Sequence, residues 1–298
     1  MNKNLIKTPK LQLEFFRISN YLITDSIELI KDKTVENDEL IHLLRKRIKN
    51  LRTILKLLRK EVGEEFYKKN NYLLRDINRR SASFRNYYAL IKLVESTLST
   101  VEDLQLKEVL SLLLTRLKSD FNDIRVQTDY STLFSQYSSQ LGKYQSHLKN
   151  LKGSENKFSV FKYGFTKLYK EGKDLLEVCL INSSDENLHE LRKCSKDFYY
   201  ITLSLSPIWK NIFEAFAKEI KRLSEVLGEV NDFCELTHYI QTLIDNPFDF
   251  SIAFDLIESR KQTLLSESFI LGRKIYALDE DNFINLFKFY YLNYKKEL

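Results

Sequence analysis

Glycine and proline are scarce in this chain of 298 residues, which contains 7 Gly and 3 Pro. Together they make up about 3% of the residues, against about 12% in an average protein. Sheet proteins need turn residues at short, regular intervals, and doubly wound nucleotide-binding folds need glycine-rich turns after their strands. The chain supplies neither, so the sequence predicts an all-α protein.

Cysteine and long apolar runs are scarce as well. The 3 cysteines, Cys179, Cys194 and Cys234, have neither C-x-x-C nor zinc-finger spacing, so we expect small buried side chains in a reducing compartment. No stretch approaches the roughly 18 consecutive apolar residues of a membrane-spanning helix. No apolar run typical of a signal peptide follows the N-terminus. The sequence predicts a soluble cytoplasmic protein that holds no metal and no cofactor.

Apolar residues recur at helical spacing along almost the whole chain. Of all residues, 43% are hydrophobic and 30% are charged, as expected for long amphipathic helices. Helix breakers divide the pattern, among them Gly63, Pro207, Gly228 and the stretches 182–185 and 246–247. The helices predicted in this way are 11–31, 37–61, 64–80, 84–98, 102–121, 130–149, 157–181, 186–205, 209–227, 231–245, 250–277 and 281–296.

The arrangement of these helices indicates an internal duplication. Residues 153–156, Gly-Ser-Glu-Asn, form a polar linker near the midpoint and separate six predicted helices from six more. The pattern H-x-x-R-K-x-x-K begins at His42 and again at His189, 147 positions later, although the chain contains only 4 histidines. We therefore expect two helical halves, 1–152 and 157–298, in one compact unit.

The repeated helix carries cations on the face opposite its apolar residues. On a helical wheel, His42 and five cations of the first copy fall within about 120° with no acid among them. A solvated face normally mixes the two signs of charge, because Glu and Lys four residues apart stabilise a helix. Like charges at this spacing repel, and a bound polyanion would offset that repulsion. The candidate anion-binding residues of the two copies are His42, Arg45, Lys46, Lys49, Arg52 and Lys56, and His189, Arg192, Lys193 and Lys196.

The paired motifs resemble those of the CHAD domain, the conserved histidine α-helical domain. Residues 227–232, Leu-Gly-Glu-Val-Asn-Asp, are similar to a leucine–glycine turn of that family, and residues 81–86 form the counterpart in the first half. In the counterpart, Ala82 replaces the glycine and Asn86 replaces the aspartate. Tyr199 stands where the family usually has arginine. The resemblance covers nearly the whole chain.

The resemblance implies two helical bundles related by a pseudo-twofold axis, with a basic groove or pore between them. It also implies binding of inorganic polyphosphate, for which phosphate or sulfate ions could substitute, and an association with polyphosphate granules. Rows of lysine and arginine suit such a ligand, because it is a linear polyanion with no bases to be read. The resemblance adds six cations to the site, namely Lys218, Lys221, Arg222, Arg75, Arg79 and Arg85.

Three alternatives remain open at the level of sequence. Nonspecific nucleic-acid binding would use the same phosphate contacts, and Tyr199 and Tyr200 could stack on bases. Triphosphate or polyphosphate chemistry would need a metal held by carboxylates, but the chain has neither a G-x-x-x-x-G-K-[ST] loop nor an E-x-E-x-K signature, and we predict no catalysis. The aromatic residues between 287 and 294 could form an interface, so a protein-binding scaffold or a homodimer is the third alternative.

Overall fold

A computed structural model describes residues 5–151, 158–243 and 250–297 of the chain. Within these ranges the regular structure is entirely helical, as predicted, with twelve α-helices and one 3₁₀ turn, Ser206–Ile208. The helices are α1 (Leu11–Lys31), α2 (Asn37–Leu57), α3 (Arg59–Val62), α4 (Glu64–Arg79), α5 (Ala82–Leu98), α6 (Leu104–Gln127), α7 (Tyr130–Lys149), α8 (Phe158–Ile181), α9 (Asp185–Ser204), α10 (Lys210–Gln241), α11 (Ser251–Ile275) and α12 (Glu280–Glu297).

Local sequence signals account for most of the helix ends. Asp103, Asp129 and Ser184 each cap a helix by accepting a hydrogen bond from a backbone N–H in its first turn. Gly63 adopts a φ of 84° between α3 and α4, a conformation that favours glycine. The predicted helix 37–61 is interrupted at Leu58, where α2 ends and the one-turn helix α3 follows.

The break predicted at Gly228 is wrong. The two helices predicted at 209–227 and 231–245 form one helix, α10, in which Val226, Leu227 and Val230 are all buried. One interior glycine costs only about 1 kcal/mol relative to alanine, and burial of its neighbours outweighs that cost. In the described ranges seven helices precede the midpoint, because α3 is separate from α2, and five follow it, because α10 is continuous, instead of six and six. The predicted linker 153–156, the half boundaries at 152 and 157 and the break at 246–247 lie outside the described residues.

One continuous hydrophobic core runs from Ile6 to Tyr294. It includes an aromatic cluster between α8, α9 and α12, in which the rings of Tyr169 and Phe283 stack with centroids 3.8 Å apart. Phe165 joins the same cluster through Phe287, at 4.8 Å between centroids. The three cysteines are buried and unpaired, which confirms their predicted burial.

Both ends of the described chain are held by this core. The Ile6 N–H donates to the carbonyl of Ser204 at 3.0 Å, and the Tyr291 hydroxyl donates to the carbonyl of Pro9 at 2.7 Å. The ring of Phe15 on α1 stacks on that of Phe161 on α8. The first helix is thereby fastened to elements from the second half of the chain.

Helix α2 lies against α1, α4, α8 and α9. Gly164 permits the close approach of α8, because a Cβ atom at that position would collide with the backbone carbonyl of Leu57. None of the helices in the described ranges is both long and apolar enough to cross a lipid bilayer.

Candidate functional site

Helices α2 and α9 each bury one face and direct cations away from it. On α2 the side chains of Leu44, Ile48 and Leu51 are fully buried. On α9 Leu191 and Phe198 are fully buried as well. This burial fixes the rotation of both helices, because turning either one would expose its apolar face to water. The basic faces are therefore positioned by the core and not by contacts between the cations.

The two basic faces border one cavity of about 350 Å³, which α5, α6 and α10 complete. Its walls contain seven lysine and arginine side chains and two carboxylates. The cations are Arg45, Lys46, Lys49, Arg85, Arg192, Lys196 and Lys221, and the carboxylates are Asp38 and Glu225. His42 is a further lining residue. Among the predicted candidates, these seven cations and His42 are the ones that the structure brings together.

Both carboxylates of the cavity already have cationic partners. Asp38 lies 3.2 Å from Arg125, which is outside the cavity. Glu225 lies 3.0 Å from the ammonium of Lys221. Arg85 makes a longer contact of 3.4 Å with Asp232. The other five cations have no ion pair within 4 Å in the described part of the chain, so the cavity carries an excess of positive charge.

Two arginines of the cavity are packed against neutral groups, although the Asp232 carboxylate also acts on the charge of Arg192. Arg45 donates to the backbone carbonyl of Asn78 and, at 3.1 Å, to the hydroxyl of Ser81. Arg192 lies against Gly228, where a Cβ atom would come within 3.2 Å of its Nε. That Nε is buried without a hydrogen-bond partner among the described residues. Each guanidinium thus keeps its charge, and much of its hydrogen-bonding capacity is available to a ligand.

Lys49 lies among several cations of the cavity. Burial and, after it, the neighbouring cations Arg192, Arg45, Arg85 and Lys196 together lower the pKa of its ammonium to about 7. The charged ammonium is poorly solvated there, and the four cations that act on it most strongly repel it.

Burial also lowers the pKa of Lys196, and Arg192 adds to that effect. The pKa of His42 is lowered by burial and by Arg85, Lys46 and other cations. A bound anion would reverse the sign of the local field and raise these pKa values.

Apart from Ile41, aromatic side chains form the remainder of the wall. They are Phe84, Tyr88, Phe121, Tyr199 and Tyr200. Lys196 places its Nζ over the rings of Tyr199 and Tyr200, 5.8 and 5.6 Å from their centroids. Of the five rings, only Tyr199 and Tyr200 were expected at the site from the sequence. The spacing of Phe84 and Tyr88, four residues apart beside Arg85, is the signal that could have indicated those two rings.

The other predicted candidates lie outside the cavity. Lys56 forms ion pairs with Glu171 at 3.0 Å and Asp197 at 3.6 Å, and Asp197 also accepts a hydrogen bond from Thr53. His189 shares a hydrogen bond of 2.6 Å with Asn231. The complete set of candidates that do not line the cavity is Arg52, Lys56, Arg75, Arg79, His189, Lys193, Lys218 and Arg222.

Three of those outlying arginines form a second cationic group near α4. The pKa of Arg52 is lowered by burial, and Arg75 and Arg79 are among the charges that act on it. Arg52 donates to the side-chain oxygen of Asn71 at 2.9 Å. The guanidinium of Arg75 lies over the ring of Tyr72, 4.4 Å from its centroid. These contacts hold Arg52 and Arg75 without involving the cavity.

The described residues contain no group of three His, Cys, Asp or Glu side chains placed to bind a metal ion. No curated protein and no solved structure matches the chain. The family model of the CHAD domain matches residues 26–241. Because the match spans more than two thirds of the chain and includes both basic helices, α2 and α9, the protein belongs to the CHAD domain family.

Proposed function

We propose that this protein binds inorganic polyphosphate in the cavity between α2 and α9 and does not transform it chemically. The observation that carries the proposal is the set of five cavity cations without an ion pair, namely Arg45, Lys46, Lys49, Arg192 and Lys196. Like charges held together in a partly buried cavity repel one another, and a polyanion relieves that repulsion. Membership of the CHAD family supports the same ligand.

Polyphosphate suits the chemistry of these side chains. Each arginine can bind two phosphoryl oxygens at once, whereas each lysine acts as a point charge. Each of the two helices contributes both types to the cavity, so one polyphosphate chain can contact arginine and lysine donors on both sides. His42 donates from a neutral ring and binds more strongly when it is protonated.

The proposal includes an internal duplication that supplies the two basic helices. Arg45 and Arg192 occupy the same place in the repeated motif, and so do Lys49 and Lys196; all four line the cavity. The histidines differ, since His42 lines the cavity whereas His189 lies outside it. A pseudo-twofold arrangement that is imperfect in this way would present the ligand with similar arginine–lysine pairs from two sides.

A binding role without catalysis is consistent with the carboxylates of the cavity. Asp38 and Glu225 are both engaged by cations, whereas phosphoryl transfer usually needs carboxylates that hold a metal ion. We propose that the protein acts where polyphosphate accumulates, including granules in the cytoplasm.

Calorimetric titration with long-chain polyphosphate at several salt concentrations tests the proposal. The comparison uses a cavity variant and a control variant that remove the same charge. The cavity variant is Lys46→Gln with Lys49→Gln and Lys196→Gln. The control is Lys143→Gln with Lys274→Gln and Lys288→Gln, three exposed lysines outside the cavity. With five cations neutralised, the slope of log K against log salt should be about −3 to −4, by analogy with single-stranded nucleic acids.

We expect the cavity variant to lose most of its affinity and the control variant to keep it. Equal loss in both variants would mean that net charge, and not the cavity, governs binding. A parallel titration with single-stranded DNA separates the alternatives, since equal affinity for DNA would indicate a general polyanion binder. Failure of the natural protein to bind polyphosphate at low salt would refute the proposal.

A further inference from the structure

Lys49 differs from the other lysines of the cavity in its surroundings. The four charged groups that act on it most strongly are all cations: Arg192, Arg45, Arg85 and Lys196. They come from α2, α5 and α9, so the ammonium is approached by positive charge from three helices. The cavity carboxylates Asp38 and Glu225 are engaged elsewhere and do not compensate.

An amine in such surroundings is a nucleophile at neutral pH. With a pKa of about 7, roughly half of the Lys49 side chains carry a free lone pair, whereas an ordinary lysine with a pKa of about 10.4 is almost entirely protonated. Removal from water and neighbouring cations are the means by which enzymes activate lysine as a nucleophile. Lys49 also lines a cavity that is open to small molecules.

The same cations favour one class of electrophile. A reagent that combines a reactive carbonyl with a phosphate would be drawn in by the positive potential and held by Arg45, Arg85 and Arg192. We propose that Lys49 is a site of acylation by acyl phosphates, and that its acylation weakens anion binding in this cavity. The regulatory half of this inference rests on the proposed function, whereas the acylation itself does not.

The reaction balances without any further reagent. The lone pair of the Lys49 Nζ attacks the carbonyl carbon of the acyl phosphate, and a C–N bond forms. The bond between that carbon and the bridging oxygen breaks, and orthophosphate leaves with its electron pair. The nitrogen gives one proton to the solvent. The products are an amide on Lys49 and inorganic phosphate, which the surrounding arginines stabilise as it departs.

Acylation and polyphosphate binding should exclude each other. A bound polyanion raises the pKa of Lys49 and so protonates the nucleophile, and it also fills the cavity. Conversely, an acylated Lys49 can no longer become cationic, and the acyl group occupies space among the remaining cations. The modification would therefore accumulate on protein that holds no polyphosphate.

The test is incubation of the purified full-length protein with acetyl phosphate between pH 6 and pH 9, followed by mass spectrometry of each lysine. Lys143 and Lys288, both exposed, serve as internal controls. At pH 7 the larger fraction of free amine should make Lys49 react at least about 10-fold faster than the controls, even though an amine of low pKa is intrinsically less nucleophilic. Its rate should level off above pH 8, whereas the control rates should continue to rise.

Two further measurements connect acylation with binding. Prior addition of polyphosphate should suppress acetylation of Lys49 and leave Lys143 unaffected. Treatment with acetyl phosphate should reduce the polyphosphate affinity of the natural protein several-fold. The variant Lys49→Arg should bind polyphosphate equally well before and after the same treatment.

If Lys49 reacts no faster than the control lysines, the inference is overturned, and a protein that still binds polyphosphate retains the proposed function. Lys49 could react rapidly while polyphosphate neither binds to the protein nor protects Lys49 from acetylation. That result would refute the proposed function and the regulatory half of the inference, and it would support the acylation of Lys49 alone. If affinity falls equally after treatment of Lys49→Arg, the loss comes from other lysines and the regulatory half is refuted.

Discussion

Replacing Lys49 by methionine should make the protein more stable while it weakens polyphosphate binding. Methionine has a similar length and no charge, so it removes the repulsion from the four neighbouring cations and still fills the space. The fall in the pKa of Lys49 from about 10.4 to about 7 measures the cost of its charge in the folded state. At about 1.4 kcal/mol for each pH unit the cost is at most about 5 kcal/mol, and solvent in the open cavity reduces it to about 2–4 kcal/mol.

The stability difference should depend on pH in a defined direction. Below pH 7 Lys49 is protonated in both the folded and the unfolded states, so the natural protein bears the full cost. Between about pH 7 and pH 10.4 the folded state has lost the proton and the unfolded state retains it, and the cost falls by up to about 1.4 kcal/mol for each pH unit. The gain from Lys49→Met should therefore be largest at and below pH 7 and should vanish near pH 10.4.

Denaturant unfolding of the natural protein and of Lys49→Met at pH 6, 7, 8.5 and 9.5 measures this difference. Lys143→Met, an exposed lysine on α7, is the matched control, and we expect its effect to stay within about 0.5 kcal/mol at every pH. If Lys49→Met is destabilising at pH 7, or if its gain is the same at pH 6 and pH 9.5, the reasoning about the cavity charges is wrong.

Two more predictions concern residues that support the cavity. Lys56→Met should lower the free energy of unfolding by about 2 kcal/mol, because it leaves Asp197 partly buried without its ion pair, and adding Asp197→Asn should recover part of the loss in thermal unfolding. No recovery in the double variant would show that the pair is not coupled. Gly228→Ala should change stability by less than about 1 kcal/mol, because alanine favours the helix, yet it should reduce polyphosphate affinity several-fold by displacing Arg192. Unchanged affinity in the calorimeter would mean that Arg192 tolerates the methyl group.

Periodicity and capping residues are enough to predict most helices, because both are local properties. The bounds of α1 follow from an apolar pattern after Pro9, and the start of α9 follows from Ser184. Gly228 shows the limit of local signals. Whether a glycine breaks a helix depends on what packs beside it, and its neighbour Arg192 belongs to another helix, α9.

The same limit applies to the cations of α2. Lys49 and Lys56 are seven residues apart on one face, and the helical wheel does not distinguish them. In the fold, Lys49 is surrounded by cations, whereas Lys56 forms ion pairs with Glu171 on α8 and Asp197 on α9. Those partners are more than 100 positions away in the sequence, so the different roles of the two lysines follow from tertiary structure alone.

Because α1 packs against helix α8 from the second half of the chain, it limits where the protein can be truncated. The family match begins at residue 26, inside α1, and ends at residue 241, before α11 and α12. A chain trimmed to those limits would lose Phe15, Phe283 and Phe287, and would uncover Phe161 and Phe165 of α8. We therefore expect the unit that folds cooperatively to be longer than the segment by which the family is recognised, and we expect the flanking helices to protect the amide hydrogens of α8 from exchange with solvent.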